Sequence, residues 1–235
     1  MRSARLDVRP APLAAQLLVP FLVYAALILW AVGAHGDLGI ADRLYAWQGH
    51  AWALRSSRVL EHGLHVGGRR LSAVAWLLTA LAWLWVRRRP QWAAWRWPLA
   101  YLALSVLLSS ALVAWLKSWT NMDCPWDLLR YGGAREYVPL LAARPPGLAH
   151  AACFPAGHAS AGYAWMALYF FFVRVRPRWR WPGLGIGIAA GVVFGLAQQL
   201  RGAHFLSHDL TTAMLCWSVA VLLHRALPAR DGATA

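Results

Sequence analysis

The sequence predicts an all-α integral membrane protein with six transmembrane helices and both termini in the cytoplasm. Three observations carry that prediction. First, 60% of the 235 residues are hydrophobic and 14% are charged, whereas a soluble domain has roughly 45–50% apolar and about 25% charged residues. That balance excludes a disordered chain, a coiled coil and an ordinary soluble enzyme. Second, six stretches approach the roughly 17–25 apolar residues a membrane crossing needs. Third, the arginines sort to alternate sides of those stretches, as orientation signals do.

The six stretches fall at about 12–33, 71–86, 97–116, 158–173, 183–203 and 205–224. The second and fourth are short. The fifth and sixth nearly touch, so a tight turn near Gly202–His204 must join them. The first begins with Arg2, Arg5 and Arg9. Its apolar run exceeds the roughly 7–15 residues of a signal-peptide core, so it reads as a retained anchor. With the N-terminus inside, 13 arginines fall in the short inner segments, while nine others and Lys117 spread over longer outer ones. Trp83, Trp85, Trp92, Trp95, Trp97, Trp179 and Trp181 gather at the inner boundaries like an interfacial belt.

The chain therefore reads as one membrane domain over residues 1–235, with its core at 97–224. Two outer segments complete it. Residues 34–70 alternate apolar and polar groups and suit short amphipathic helices on the membrane surface. Residues 117–157 form a long loop rich in Gly, Pro and charge, and loops of that length usually serve function. The net charge of +14 reports orientation, so no nucleic-acid partner is expected. Of the 23 basic residues, 22 are Arg and one is Lys117. Gly183, Gly185, Gly187, Gly191 and Gly195 make a small-residue face for helix packing. Cys216 reads as packing.

The chemistry gathers at three outer span ends. Lys117 closes the third span, followed by Asp123, Cys124, Pro125, Asp127 and Arg130. Pro155-Ala156-Gly157-His158 opens the fourth. Arg201 through His204 to His208 and Asp209 joins the fifth to the sixth. Ionisable groups at membrane depth are costly and usually functional. A helix beginning at Gly157 presents free amides and a positive dipole end to an anion. Lys117 and Arg201 carry charge for phosphate oxygens. A neutral His204 is a nucleophile for phosphorus, and His158 is an acid for the leaving alkoxide. The charges collect on one face, which argues against a transporter.

These residues resemble the type-2 phosphatidic acid phosphatase superfamily, whose pattern is K-x6-R-P, then P-S-G-H, then S-R-x5-H-x3-D. Lys117 with Pro125, the run Pro155–His158, and His204 fit that spacing. Cys124 stands at the first motif's Arg, Ala156 at the second motif's Ser, Ala197-Gln198 at the third motif's Ser-Arg, and His208 at its Asp. The resemblance implies a helical-bundle phosphatase core with its site at the outer face. It also implies His204 as nucleophile, His158 as acid, and a phosphohistidine intermediate.

Lys117, Arg201, Gln198, Arg130 and the backbone of Ala156 and Gly157 are the implied phosphate contacts. Arg135 and Arg144 join Arg130 as replacements for the missing cation. His208 is the implied partner that orients His204, with Asp209 as runner-up. Substrate would arrive sideways from the outer leaflet of a bacterial inner membrane, with the site facing the periplasm.

Phosphatidic acid, phosphatidylglycerophosphate, polyprenyl pyrophosphate and lipid A phosphate are the candidate substrates. Lipid phosphotransfer and catalytically impaired lipid binding are the alternatives. No cofactor or metal is expected, although His204, His208 and either His158 or Asp209 have a zinc-compatible spacing.

Cys124 and Cys153 are a disulfide candidate, since an oxidising compartment permits the bond. His62 and His65, with Arg69 and Arg70, read as a solvated interfacial face, with contact to a lipid head group as the alternative. His35, His50, His150 and His224 read as surface residues.

Overall fold

The computed structural model describes residues 12–227, save 141, 143, 144, 146 and 149. Arg2, Arg5, Arg9, Arg144 and Arg230 therefore lie outside the described residues.

The described chain is helical, and its one β-bridge joins Leu128 to Arg135. Helix α1 (Leu13–Ile28) ends in a wider π turn to Gly33. Helix α2 (Gly36–Trp47) follows, then a π-helical stretch, Val59–Gly67, that runs straight into α3 (Gly68–Val86). Helix α4 (Ala93–Trp119) is the longest. Helix α5 (Gly157–Tyr163) passes through the 3-10 turn Ala164–Ala167 into α6 (Leu168–Val175). Helices α7 (Arg180–Leu200) and α8 (Leu206–Ala226) close the bundle.

Among the described residues, four helical runs are long and apolar enough to cross a membrane: Leu13–Gly33, Pro90–Trp119, Pro177–Leu200 and Leu206–Ala226. The other two expected spans form helices of a different character. Helix α3 opens on Arg69 and Arg70, and the run from Gly157 to Val175 is divided by its 3-10 turn.

The core sits among α4, α5, α6 and α8, around Tyr101, Val113, Ala159, Phe170, Cys216 and Val221. Without an aqueous driving force between spans, close packing has to hold membrane helices together. The glycine face of α7 supplies it. A Cβ at Gly187 would strike the Met166 backbone, and one at Gly191 the Tyr163 ring. Gly185 is on the open side, where nothing would meet a Cβ.

His224 is not at the surface as expected. It is buried at the far end of α8, with its ring stacked on Phe170 at 4.6 Å.

At the other end of the bundle, α2 packs inward through Ala41 onto Leu128, Tyr131 and Phe205. Its Asp37 is buried and accepts the Ser207 amide at 3.0 Å, which caps the start of α8. Just beyond α2, Gln48 donates to the Leu200 carbonyl at 2.9 Å and closes the end of α7. Between these caps the chain turns sharply. Gly202 has φ +72°, and a Cβ there would run into the Trp52 ring.

Candidate active site

The long loop after α4 is stitched back onto the strand of chain that enters α5. Thr120 donates to the Phe154 carbonyl. The Ala151 amide donates to Asn121 at 2.8 Å, and the Cys153 amide donates to the Met122 carbonyl at 3.0 Å. Cys124 and Cys153 are joined by a disulfide with their Cα atoms 5.3 Å apart. The Asp127 carboxylate lies close to both sulfurs. With the sulfurs bonded to each other, this group offers a metal no thiolate.

The same chain is stitched to α8. The Ala156 amide donates to the His208 carbonyl at 3.3 Å, and Thr212 donates to the Ala156 carbonyl at 3.1 Å. These bonds place His158, one residue into α5, beside the first turn of α8. They also commit the Ala156 amide, so the expectation that it faces a phosphate is not met. Gly157 opens the helix, where an amide has no partner within the helix. A methyl on Gly157 would stand 3.4 Å from Lys117 Cδ and 3.5 Å from its Nζ. The end of α4 thus brings its lysine over the start of α5.

His204 lies in the α7–α8 turn and is buried. Its Nδ1 is 3.3 Å from Nδ1 of His208, which sits one turn further along. The Cys153 carbonyl faces both rings. Burial holds His204 well below the ordinary imidazole range, and the charges of His208 and Lys117 push it the same way. His204 is therefore neutral near pH 7, with a lone pair available. Asp209 is not at this pair. It points to α7, where Gln199 Nε2 donates to it at 2.5 Å and its carboxylate lies against Gly195.

The third wall comes from the stretch before α3. His158 Nε2 donates to the Leu64 carbonyl at 3.1 Å, and its ring stacks on His65 with centroids 4.3 Å apart. Gln198 Nε2 donates to His65 Nδ1 at 3.0 Å, while Gln198 Oε1 accepts from Arg201 at 3.3 Å. Arg201 is buried. It also donates to the Arg55 carbonyl at 2.9 Å and lies 3.7 Å from Glu61. The expected solvated face keeps exposed His62, Arg69 and Arg70 but loses His65, which meets His158 and Gln198.

The structure brings together Lys117, Gly157, His158, Gln198, Arg201, His204 and His208. It leaves Arg130 out. That guanidinium makes two 2.7 Å bonds to Asp42 and is half-exposed, because α2 offers it a carboxylate on the outer surface. Arg135 is paired with Asp123. Arg144 is outside the described residues. Sequence reasoning missed Asp37 and Glu61, and gave His65 only as an interfacial residue. None of them has a spacing signal, and each reaches the site only through tertiary packing.

A cleft of about 300 Å³ opens beside Gly157 between α3 and α4, with Arg69, Trp76, Val106, Leu107 and Ser110 among its walls.

A solved transmembrane PAP2-type phosphatidylglycerolphosphate phosphatase from Bacillus subtilis is similar to this chain. Its TM-score is 0.54 with 17% sequence identity, covering 90% of this chain and 94% of that one. No curated protein matches the chain. The family model of the PAP2 superfamily matches residues 98–231. That range runs from α4, which carries Lys117, through the Gly157–His158 helix start to the His204–His208 pair, and by this match over more than half its length the chain belongs to the PAP2 superfamily.

Proposed function

We propose that this protein is a lipid phosphate phosphatase working through a phosphohistidine. The observation that carries this reading is the His204–His208 pair, with Nδ1 atoms 3.3 Å apart, in a wall facing Lys117 and His158. With Nδ1–H of His204 donating to His208, Nε2 of His204 keeps its lone pair for attack on phosphorus. A P–N bond forms as the bond from phosphorus to the lipid oxygen breaks. His158 has its Nε2–H taken by the Leu64 carbonyl, so it enters the step as an imidazolium whose transferable proton is at Nδ1 and leaves it neutral. It gives that proton to the departing oxygen. Water then attacks phosphorus, passes a proton back to His158, and releases phosphate from His204. Lys117, Arg201 and the Gly157 amide oppose the phosphate charge throughout.

The substrate is a membrane lipid. Six spans, with both termini cytoplasmic and the site on the periplasmic side of a bacterial inner membrane, agree with the distribution of arginines. The cleft beside Gly157 gives an acyl chain a route to the reacting phosphate from the side. Phosphatidylglycerophosphate, the substrate named for the structural neighbour, is the first lipid to test. Phosphatidic acid, polyprenyl pyrophosphate and lipid A phosphate follow.

Phosphate release from purified protein over these four lipids, with His204→Ala as control, decides the matter. The expected result is turnover of at least one lipid, abolished by His204→Ala. Turnover that survives His204→Ala rejects the mechanism. Lipid binding without release supports the alternative of an impaired enzyme, which the replacement of motif residues by Cys124, Ala156 and Gln198 favours. Transfer of phosphate to an acceptor lipid without free phosphate identifies a phosphotransferase of the same fold.

A further inference from the structure

We propose that His65 is a positioning residue of the active site, holding the His158 ring at the angle proton transfer needs. The proposal rests on the phosphatase reading and adds a residue that no motif contains.

Gln198 sets the tautomer of His65. An arginine only donates hydrogen bonds, so the 3.3 Å contact from Arg201 fixes Oε1 of Gln198 as the acceptor. Nε2 of Gln198 is then the donor to His65, and Nδ1 of His65 must be unprotonated. His65 is therefore neutral, with its proton on Nε2. A second proton on Nδ1 would set two donors against each other across 3.0 Å.

The groups around His65 agree. Its position is half-buried, and Arg201, Arg69 and Lys117 outweigh Glu61 in the charge they present to it. Burial and these cations hold the ring below its ordinary range.

His158 meets this wall twice. Its Nε2–H is anchored on the carbonyl of Leu64, the residue before His65. Its ring face lies on the His65 ring at 4.3 Å with 31° between planes. Phe194 closes another side at 5.3 Å. Phe194 in turn fits against Gly68, where a Cβ would come within 2.5 Å of its ring. One hydrogen bond leaves an imidazole free to swing about the bonded nitrogen. Two ring faces remove that freedom. The position at which the family's arginine would stand is filled here by Gln198, whose amide supports His65. The exchange has therefore converted a phosphate contact into a support for the acid.

The test separates leaving groups. An alkoxide needs a proton as it departs, whereas an aryl oxide departs without one. His65→Phe keeps a ring on His158 but gives Gln198 no acceptor, and His65→Ala removes both. Turnover of phosphatidic acid and of p-nitrophenyl phosphate is measured for each, with melting in detergent as the folding control. The kcat–pH profile on phosphatidic acid is the second readout.

The expected result is a loss of about tenfold in kcat on the lipid for His65→Phe, greater for His65→Ala, with little loss on the aryl ester. The basic limb of the profile should move, and KM for the lipid should not. Equal losses on both esters, or unmoved limbs with a lowered melting temperature, overturn the proposal and leave the phosphatase reading standing. A wild-type protein that hydrolyses no ester removes the phosphatase reading and this proposal together.

Discussion

Nδ1 of His204 lies 3.3 Å from Nδ1 of His208, and no carboxylate is hydrogen-bonded to either ring among the described residues. In the family pattern an aspartate stands where His208 stands. A neutral imidazole accepts one hydrogen bond, as a carboxylate does, but brings no negative charge to stabilise a positive ring. In the proposed mechanism His208 accepts from Nδ1–H of His204, which sets that ring's tautomer without raising its basicity much. The Cys153 carbonyl also faces both rings.

This relationship predicts which neighbour matters. His208→Ala should lower kcat by about 10²-fold, because the nucleophile loses its orienting acceptor. Asp209→Asn should leave kcat near wild type, since the Asp209 carboxylate serves Gln199 and packs on Gly195. Phosphate release at saturating lipid checks both. If Asp209→Asn causes the larger loss, the orienting role passes to Asp209.

The Cys124–Cys153 bond closes a loop with a sequence separation of 29 residues. By loop entropy, such a bond contributes roughly 3–4 kcal/mol to stability. It also holds the residue whose carbonyl faces His204. Cys153→Ser should therefore lower the melting temperature and kcat together, and reduction of the wild type should reproduce both losses. Free thiols at both positions in protein matured in an oxidising compartment would show that the bond does not form.

Asp37 gives a prediction about pH. Burial raises its carboxyl above the ordinary carboxylate range, against the lowering effect of bonds from Ser207 and Leu206. A raised folded-state pKa means the folded state holds its proton to higher pH than the unfolded chain does. Its contribution to stability is complete below the unfolded value and is lost as pH climbs through the folded one. Asp37→Asn keeps an oxygen on the Ser207 amide and cannot ionise. The variant should melt above wild type at about pH 7, and the gap should narrow towards about pH 4. Asp37→Ala loses the cap and should cost about 1 kcal/mol. A gap that widens as pH falls contradicts the argument.

The parts of this molecule legible in sequence are those with a period or a fixed spacing. The apolar runs announce the helices, and the His204–His208 interval places both rings near the start of one helix. Lys117, Gly157 and His158 are legible because span ends collect on one face. Asp37, Glu61 and His65 are illegible for a physical reason. Their segment, 34–70, alternates apolar and polar groups, and that pattern does not say which polar side chain meets the site; contacts with α7 and the turn into α8 decide it. Arg130 misleads for the converse reason. It follows the first motif in sequence, but Asp42, far away in the chain, takes its guanidinium. Ala156 is similar, since nothing local says that its amide is committed to His208.

Lys117 is the single lysine among 23 basic residues, and its surroundings explain why an arginine would serve poorly there. Its side chain lies against Gly157, where even a methyl would come within 3.5 Å of Nζ. An ammonium is compact and directs its charge from one point. A guanidinium is a broad, rigid fork that needs room in its plane. Lys117→Arg should therefore press on the start of α5 and lower kcat/KM about tenfold, a difference of about 1.4 kcal/mol in the transition state. Gly157→Ala should be tolerated, since its methyl would only touch the lysine at ordinary contact distance. Gly157→Val, with two further carbons, should displace the ammonium and reproduce the loss of Lys117→Arg. Phosphate release for the three variants tests the idea, and a fully active Lys117→Arg would show that the charge matters there while its shape does not.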